Sequence, residues 1–394
     1  MEVKVLSIGQ ICKRFSSGKN ITSQNISEEG VYPVYGGNGL RGYTDTYNFE
    51  GECAIVGRQG AYCGNVKYVR GKAYMSEHAI VAVTNSEHNN KYFYYKLSLA
   101  KLGRFSGQAA QPGLSVTKLL RLKLEMPSRK YQDVIASILS TYDTLIENNT
   151  KRIRLLEKMA ENLYKEWFVR FRFPGHENVE MENGLPKGWK VEKLGEWGIE
   201  LETGKRPKGG IDGSIKDGCP SLGAECIKEL ASFDYSSVKM VPKDFYDSLK
   251  RGKSSGNDIL LYKDGAYIGK VTMFRDSFPY SEYSINEHVF FLSPMNVKYR
   301  NYLYFTLHQK EFFALMQNLN RNAAQPGLSR SDVERVKIVV PPSKIVEFFD
   351  LQVERMLKVI FSLAKQNSLL ARQRDLLLPR LMSGKLEVKE ELLE

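Results

Sequence analysis

Hydrophobic positions change their period along this chain. From Met1 to Pro127 they come in short runs. Cys53-Ala54-Ile55-Val56 and Ala79-Ile80-Val81-Ala82-Val83 predict buried strands, Tyr92 to Leu97 predicts a helix, and Leu120-Arg121-Leu122-Lys123-Leu124 alternates like a half-exposed strand. Tyr35-Gly36-Gly37-Asn38-Gly39 between such runs predicts a turn. From about Tyr131 to Arg170 the pattern lengthens: Ile135, Leu139, Tyr142, Ile146, Asn149, Ile153, Leu156, Ala160, Leu163 and Trp167 are spaced alternately by four and three, the seam of a long heptad helix. Pro174-Gly175 stops that helix, and a polar stretch leads to Gly188-Trp189. A second mixed region follows, then a second seam through Phe349, Val353, Met356, Ile360, Leu363, Asn367, Leu370, Arg374, Leu377 and Leu381.

Each position of the second seam lies 214 residues after its counterpart in the first. The same shift carries Ala109-Ala110-Gln111-Pro112-Gly113-Leu114-Ser115 onto Ala323-Ala324-Gln325-Pro326-Gly327-Leu328-Ser329. Other echoes keep the order: Gly60-Ala61-Tyr62-Cys63-Gly64 with Gly265-Ala266-Tyr267-Ile268-Gly269, Glu77-His78 with Glu287-His288, and Ser17-Gly18-Lys19 with Thr203-Gly204-Lys205. The unit is far longer than a solenoid repeat of roughly 20–50 residues, so a whole domain and its helix were duplicated. The expected class is α+β: two similar globules separated by two long helices that form an antiparallel coiled coil. In residue numbers the expected divisions are 1–127 (first globule), 128–173 (first helix), 174–188 (linker), 189–342 (second globule), 343–386 (second helix) and 387–394 (charged tail).

Aligning the helices end to end sets Ile135 beside Leu381 and Trp167 beside Phe349, and the same register sets Asn149 against Asn367. One polar layer in an apolar seam fixes register at some cost in stability, so an Asn149–Asn367 layer is expected. Helices of roughly 35–40 residues rise about 55 Å, a spacer comparable with one to one and a half turns of B-DNA.

The chain has 394 residues, a net charge of +12 and a pI near 9.2, which point to an anionic partner, nucleic acid before membrane. No run of about 18 apolar residues and no export signal is visible, so a soluble, cytoplasmic protein without membrane contact is expected. Five cysteines at spacings that match neither a zinc cluster nor a disulfide framework fit a reducing compartment. No metal site is expected either, because the five histidines show no local ligand spacing. Catalytic signatures are missing: no phosphate-binding Gly-x-x-x-x-Gly-Lys-Ser/Thr, and the one Pro-Pro, Pro341-Pro342, lacks the Asn/Asp before it that an amino-methyltransferase needs. Glu387-Val388-Lys389 has a nuclease-like spacing without a partner carboxylate.

Two glycine-rich domains, each containing Gly-Ala-Tyr-x-Gly and closing with Gln-Pro-Gly-Leu-Ser, alternating with two long helices, resemble the specificity subunit of a type I restriction-modification system. The resemblance spans nearly the whole chain. It implies two target-recognition domains, each reading one half of a split site in double-stranded DNA, and helices that act as a ruler. It also implies docking to methyltransferase (modification) subunits, expected to number two, and to restriction/translocase subunits. S-adenosylmethionine, ATP and Mg2+ then belong to those partners, and this chain is a non-catalytic recognition subunit with no cofactor. A stand-alone DNA-binding regulator and an enzyme with an unrecognised nuclease site are the alternatives.

Comparing the two copies singles out candidate DNA-binding residues. Arg104 and Gln108 face Asn320, Arg321 and Asn322 at a diverged loop, and arginine suits guanine as glutamine and asparagine suit adenine. Arg58 and Gln59 precede the first Gly-Ala-Tyr turn, whose Tyr62 and counterpart Tyr267 suit either a phosphate contact or core packing. Gln111 and Gln325 suit either adenine or the backbone groups of a Pro-Gly turn. Lys19, Lys205, Arg206, Lys208 and Lys270 suit phosphate, and Asn38 and Arg41 lie in a loop able to reach base edges. The stretch from Gly223 to Gly265 exceeds that from Gly36 to Gly60, so the two half-sites are expected to differ. His78 and His288 are expected to be structural. Finally, Tyr164, Trp167 and Phe168 exceed what one partner helix needs, and are expected either to cover the adjacent domain or to form a partner-subunit interface.

Overall fold

A computed structural model describes residues 3–60, 62–107, 113–215, 217–319 and 327–388. The chain divides into two compact units, residues 1–145 with 370–394, and residues 146–369. Each long helix is therefore shared between the units rather than forming a separate body.

In the first unit, β1 (Val3–Ser7), α1 (Ile8–Ile11), β2 (Cys12–Ser17), β3 (Tyr32–Gly36), β4 (Gly39–Thr44), β5 (Phe49–Gly57), β6 (Val66–Met75), β7 (Ala79–Thr84), α2 (Asn90–Leu99), α3 (Val116–Leu120) and β8 (Lys123–Pro127) lead into α4 (Arg129–Tyr164). Six strands form a sheet in the order β2-β7-β5-β6-β3-β4, and β1 pairs separately with β8. The central strands read as unbroken apolar runs because both faces are covered. Ala54, Val56, Ile80 and Ala82 pack with Tyr92 and Phe93 of α2, while Cys53, Ile55, Val69, Val81 and Val83 form a second core on the other face. Helix α2 starts where the Asn89 side chain accepts the amide protons of Lys91 and Tyr92.

The second unit carries a short hairpin, β9 (Met181–Glu182) with β10 (Leu185–Pro186), inside the expected linker. Then come β11 (Lys190–Lys193), α5 (Leu194–Trp197), β12 (Ile199–Thr203), β13 (Cys219–Leu222), β14 (Lys239–Val241), α6 (Lys243–Ser248), β15 (Asn257–Tyr262), β16 (Val271–Arg275), β17 (Ser284–Ile285) and β18 (Val289–Pro294). Helices α7 (Arg300–Leu307), α8 (Lys310–Leu319) and α9 (Arg330–Glu334), strand β19 (Lys337–Val340) and α10 (Ser343–Met382) complete it. Its main sheet runs β12-β18-β15-β16, which reproduces β2-β7-β5-β6, and β11 pairs with β19 as β1 does with β8. The duplication is thus visible in strand order. Where the first unit extends this sheet with the β3–β4 hairpin, the second builds a separate sheet, β14-β13-β17.

The two long helices run antiparallel in both units. Ile135, Ala136 and Leu139 share a core with Leu381 and Met382 in the first unit. In the second, Trp167 meets Phe349 with ring centroids 5.9 Å apart, as the register requires. The asparagine layer differs from expectation. Asn367 donates to Thr150 Oγ1 at 3.3 Å, one residue beyond Asn149, and its Oδ1 is buried without a partner among the described residues; Asn149 itself is buried. Two boundaries also differ. The first helix ends in a π-type turn over Lys165–Val169, and the expected strand at Leu120–Leu124 is split between the end of α3 and the start of β8.

Candidate nucleic-acid interface

In the first unit, four stretches that are remote in sequence close on one another through backbone hydrogen bonds. Gly18 N–H donates to Ala79 O, Arg58 N–H to His78 O, Leu114 N–H to Arg58 O and Gly64 N–H to Gly57 O, at 2.8–3.0 Å. The second unit repeats three of them, Lys263 to His288, Leu328 to Lys263 and Gly269 to Tyr262, at 2.9–3.0 Å, while Gly204 N–H donates to Asn286 O at 3.3 Å. Matching bridges join Gln59 to Gly113 and Asp264 to Gly327. The repeated motifs therefore build one frame twice.

Glycine is required at two of these places. A Cβ at Gly18 would stand 2.1 Å from Met75 O, and at Gly204 1.6 Å from Ile285 O. Gly64 and Gly269 have φ of +89° and +86°, against Gly103 and Met316 respectively. The last motif is architectural in its described part. Leu114 and Leu328 are buried, while the Ser115 and Ser329 side chains cap α3 and α9 by accepting from Lys118 N–H and Asp332 N–H.

Onto the first frame the fold brings most of the expected residues. Lys19 follows the Gly18 contact and bridges to Ser76, and Arg58 donates to Ser17 Oγ at 3.2 Å. Gln59 Oε1 is 3.1 Å from His78 Nδ1, and His78 Nε2 is 3.0 Å from Glu77. The turn holding Asn38 packs on this loop, since Gly37 lies against Gln59 O and His78 O, and Arg41 folds over Gly36. Arg104, stacked on Phe105 at 4.8 Å, adjoins the Gly64 turn through Gly103. Lys19, Asn38, Arg41, Gln59 and Arg104 are exposed. Tyr62 and Tyr267 are 52% and 62% exposed, which rules out core packing for both.

The second frame has the same backbone with a different charge pattern. Asp264 replaces Gln59, 3.1 Å from His288 Nδ1 and 3.2 Å from Lys263 Nζ. Arg206 pairs with Glu287 at 2.8 Å and Lys270 with Glu229 at 2.8 Å, so these two cations already have carboxylates, while Lys205 and Lys208 are exposed. His78 and His288 both serve as hydrogen-bonded struts. Gln108, Gln111, Asn320, Arg321, Asn322 and Gln325 lie outside the described residues.

Sequence reasoning missed two neighbouring cations. Lys253 follows Gly252, which packs on Gly204, and Lys67 lies against Gly39. Only tertiary approach reveals them. The expectation of a partner-subunit interface at Tyr164, Trp167 and Phe168 is corrected: they are 5%, 6% and 3% exposed within their own unit. Phe168 meets Tyr302 and Phe349 at 4.8 and 4.9 Å, Trp167 meets Phe349, and Tyr164 donates to Thr306 at 3.1 Å. They cover the adjacent domain.

A family model described as the type I restriction modification DNA specificity domain matches residues 1–158 and 186–376. Over 166 residues the chain is 39% identical to the type I restriction enzyme EcoprrI specificity subunit of Escherichia coli, a match covering 41% of this chain and 41% of that protein, less than half the relative's length. It is 29% identical over 321 residues to the type I restriction enzyme MjaIX specificity subunit of Methanocaldococcus jannaschii, covering 76% of this chain and 70% of the relative. Its fold is similar to the crystal structure of a type I restriction-modification system S subunit from M. genitalium, with a TM-score of 0.59, 19% identity and coverage of 97% and 96% of the two chains.

Proposed function

The chain belongs to the type I restriction-modification DNA specificity family, and from that premise we propose that it reads a split, asymmetric site in double-stranded DNA and carries the enzymes of the complex to it. One observation carries this reading. The same backbone frame is built once in each unit, with a different set of side chains on it: Arg58 and Gln59 in the first, Lys263 and Asp264 in the second. A common frame suits a common backbone of phosphates, and diverged side chains suit different bases. The net charge of +12 supplies the long-range attraction.

In this reading the chain performs no bond-making step. Two modification subunits transfer the methyl group from S-adenosylmethionine, and restriction/translocase subunits use ATP and Mg2+, all in the cytoplasm. Leu155 and Met159, one turn apart on α4 and 63% and 55% exposed, offer an apolar face for docking such a partner. The test is to co-express the chain with the neighbouring modification subunit and map methylated adenines across a genome. Two fixed half-sites at a constant spacing, present only with both chains, support the reading. Methylation that is unchanged when this chain is omitted overturns it.

A further inference from the structure

Away from the recognition frame, the second unit gathers metal-ligand chemistry between α4 and α7. One carboxylate oxygen from each of Glu157 and Glu161 and one ring nitrogen of His308 lie within 4.8 Å of one another. The glutamates are one helical turn apart on α4 and so project from the same face. His308 caps the C-terminus of α7, its Nε2 lies 3.2 Å from Glu161, and its ring stacks on Tyr304 at 5.2 Å.

A second observation points into the same place. Tyr304 is fully buried, and its hydroxyl has no hydrogen-bond partner among the described residues. Glu157 makes no hydrogen bond or ion pair among the described residues. Glu161 and His308 pair with each other, which leaves the Glu157 carboxylate and the Tyr304 hydroxyl oxygen beside them without a partner among the described residues. A cation answers both at once.

We propose that Glu157, Glu161 and His308 form a binding site for a divalent first-row transition ion of the zinc class, with the Tyr304 hydroxyl beside it. Imidazole nitrogen with carboxylate oxygen suits zinc or cobalt, whereas calcium and magnesium sites are built from oxygen alone. The bound ion would clasp the end of α7 to α4, fastening the second recognition domain to its own stretch of helix. The duplication provides a contrast. At the 214-residue shift Glu157 and Glu161 correspond to Ala371 and Asp375, and aligning Tyr92-Phe93-Tyr94 with Tyr302-Leu303-Tyr304 sets Ser98 against His308. The three-donor set belongs to one copy only.

The experiment uses the tag-free full chain, stripped with chelator and titrated with Co2+ and then Zn2+. Stoichiometric Co2+ uptake with a visible ligand-field band, displaced by one equivalent of Zn2+, is expected. The Glu157→Gln/His308→Ala variant should bind at least tenfold more weakly, since even outer-shell losses cost about 10–100-fold. Glu147→Gln, which alters only an exposed pair with Lys151, should bind like the wild type. Absence of stoichiometric uptake by the wild type overturns the proposal. So does unchanged uptake by a double variant that keeps the wild-type circular dichroism. If that variant does not fold, X-ray absorption of the zinc-loaded wild type decides: one imidazole with oxygen ligands supports the site, and any other ligand set overturns it.

Discussion

Asp143 on α4 is the meeting point of three elements of the first unit, and replacing it tests how that unit is held together. Its carboxylate accepts from Tyr95 Oη at 2.5 Å and Arg374 Nη1 at 2.8 Å, and pairs with Lys91 Nζ at 3.0 Å. Lys91 is in turn enclosed by rings, 4.2 Å from the centroid of Tyr68 and 5.1 Å from that of Tyr94. Burial pushes the Asp143 carboxyl up, but the hydrogen bonds from Tyr95, Arg374 and Lys91 outweigh it and hold the group below its ordinary value. Asp143→Ala would leave two cations and a phenol facing one another. Breaking a buried pair costs about 3–5 kcal/mol; with side chains 19–26% exposed here, about 2–4 kcal/mol is expected. Lys91→Ala should cost about 1–2 kcal/mol, because Asp143 keeps Arg374 and Tyr95. Urea unfolding followed by far-ultraviolet circular dichroism is the right assay, since Trp167, Trp189 and Trp197 all lie in the second unit and tryptophan fluorescence does not report on this site. The pH dependence has a definite sign. A carboxyl whose folded pKa is depressed contributes fully above its unfolded value, about 3.9, and loses that contribution as pH falls through the folded value. The gap between wild type and Asp143→Ala should therefore be flat from pH 7 to 5 and close below about pH 4. A gap under about 1 kcal/mol at pH 7, or one that widens on acidification, would refute the reasoning.

Other variants probe separate parts of the molecule. Glu354→Ala removes the two-pronged partner of buried Arg275, bonded at 2.9 and 2.6 Å, and should cost about 3 kcal/mol in chemical denaturation; a loss below about 1 kcal/mol would mean that Asp276 suffices. Asn367→Leu should be neutral or stabilise by up to about 1 kcal/mol in the same measurement, because it removes a buried Oδ1 that has no partner among the described residues while Thr150 keeps its bond to Ile146 O; a clear loss would restore a stabilising role for the polar layer. For the assembled complex on its DNA, Lys19→Ala with Arg58→Ala should flatten the plot of log affinity against log salt by about 0.9 for each phosphate no longer neutralised, and an unchanged slope would remove both residues from the interface.

What the sequence could reveal followed from how locally each feature is encoded. The seams were legible because a heptad pattern needs only neighbouring positions, and a duplication that kept register to the residue supplied a second reading of the same pattern. Even so, the polar layer slipped by one. Asn367 meets Thr150 and Arg374 meets Asp143, the same offset in each unit, because side chains lean toward the N-terminus of their own helix and therefore lean in opposite senses across an antiparallel seam. The strand expected from Leu120 begins only at Lys123 for a related reason. Five residues alternating with period two also fit the end of a short helix, and Ser115, placed to cap α3, decided between them.

Tertiary juxtaposition lay beyond any local pattern. The excess aromatics at the end of the first helix were visible, yet nothing in their spacing named Tyr302 and Phe349 as their cover rather than another subunit. Glu157, Glu161 and His308 made no motif either, since a helix face and a helix terminus far apart in the chain supply them. The recognition frame is intermediate. Its glycines and its Gln-Pro-Gly-Leu-Ser segments announced themselves by recurring, because backbone close approach tolerates no other residue, whereas the cations on it are free to vary. That asymmetry is itself informative: a protein that must hold different base sequences against one kind of phosphate backbone needs an invariant frame and replaceable side chains. Grafting Arg58, Gln59 and Arg104 onto a different frame should therefore fail to transfer a half-site, while exchanging the whole first unit's recognition segment should transfer it, as methylation mapping would show.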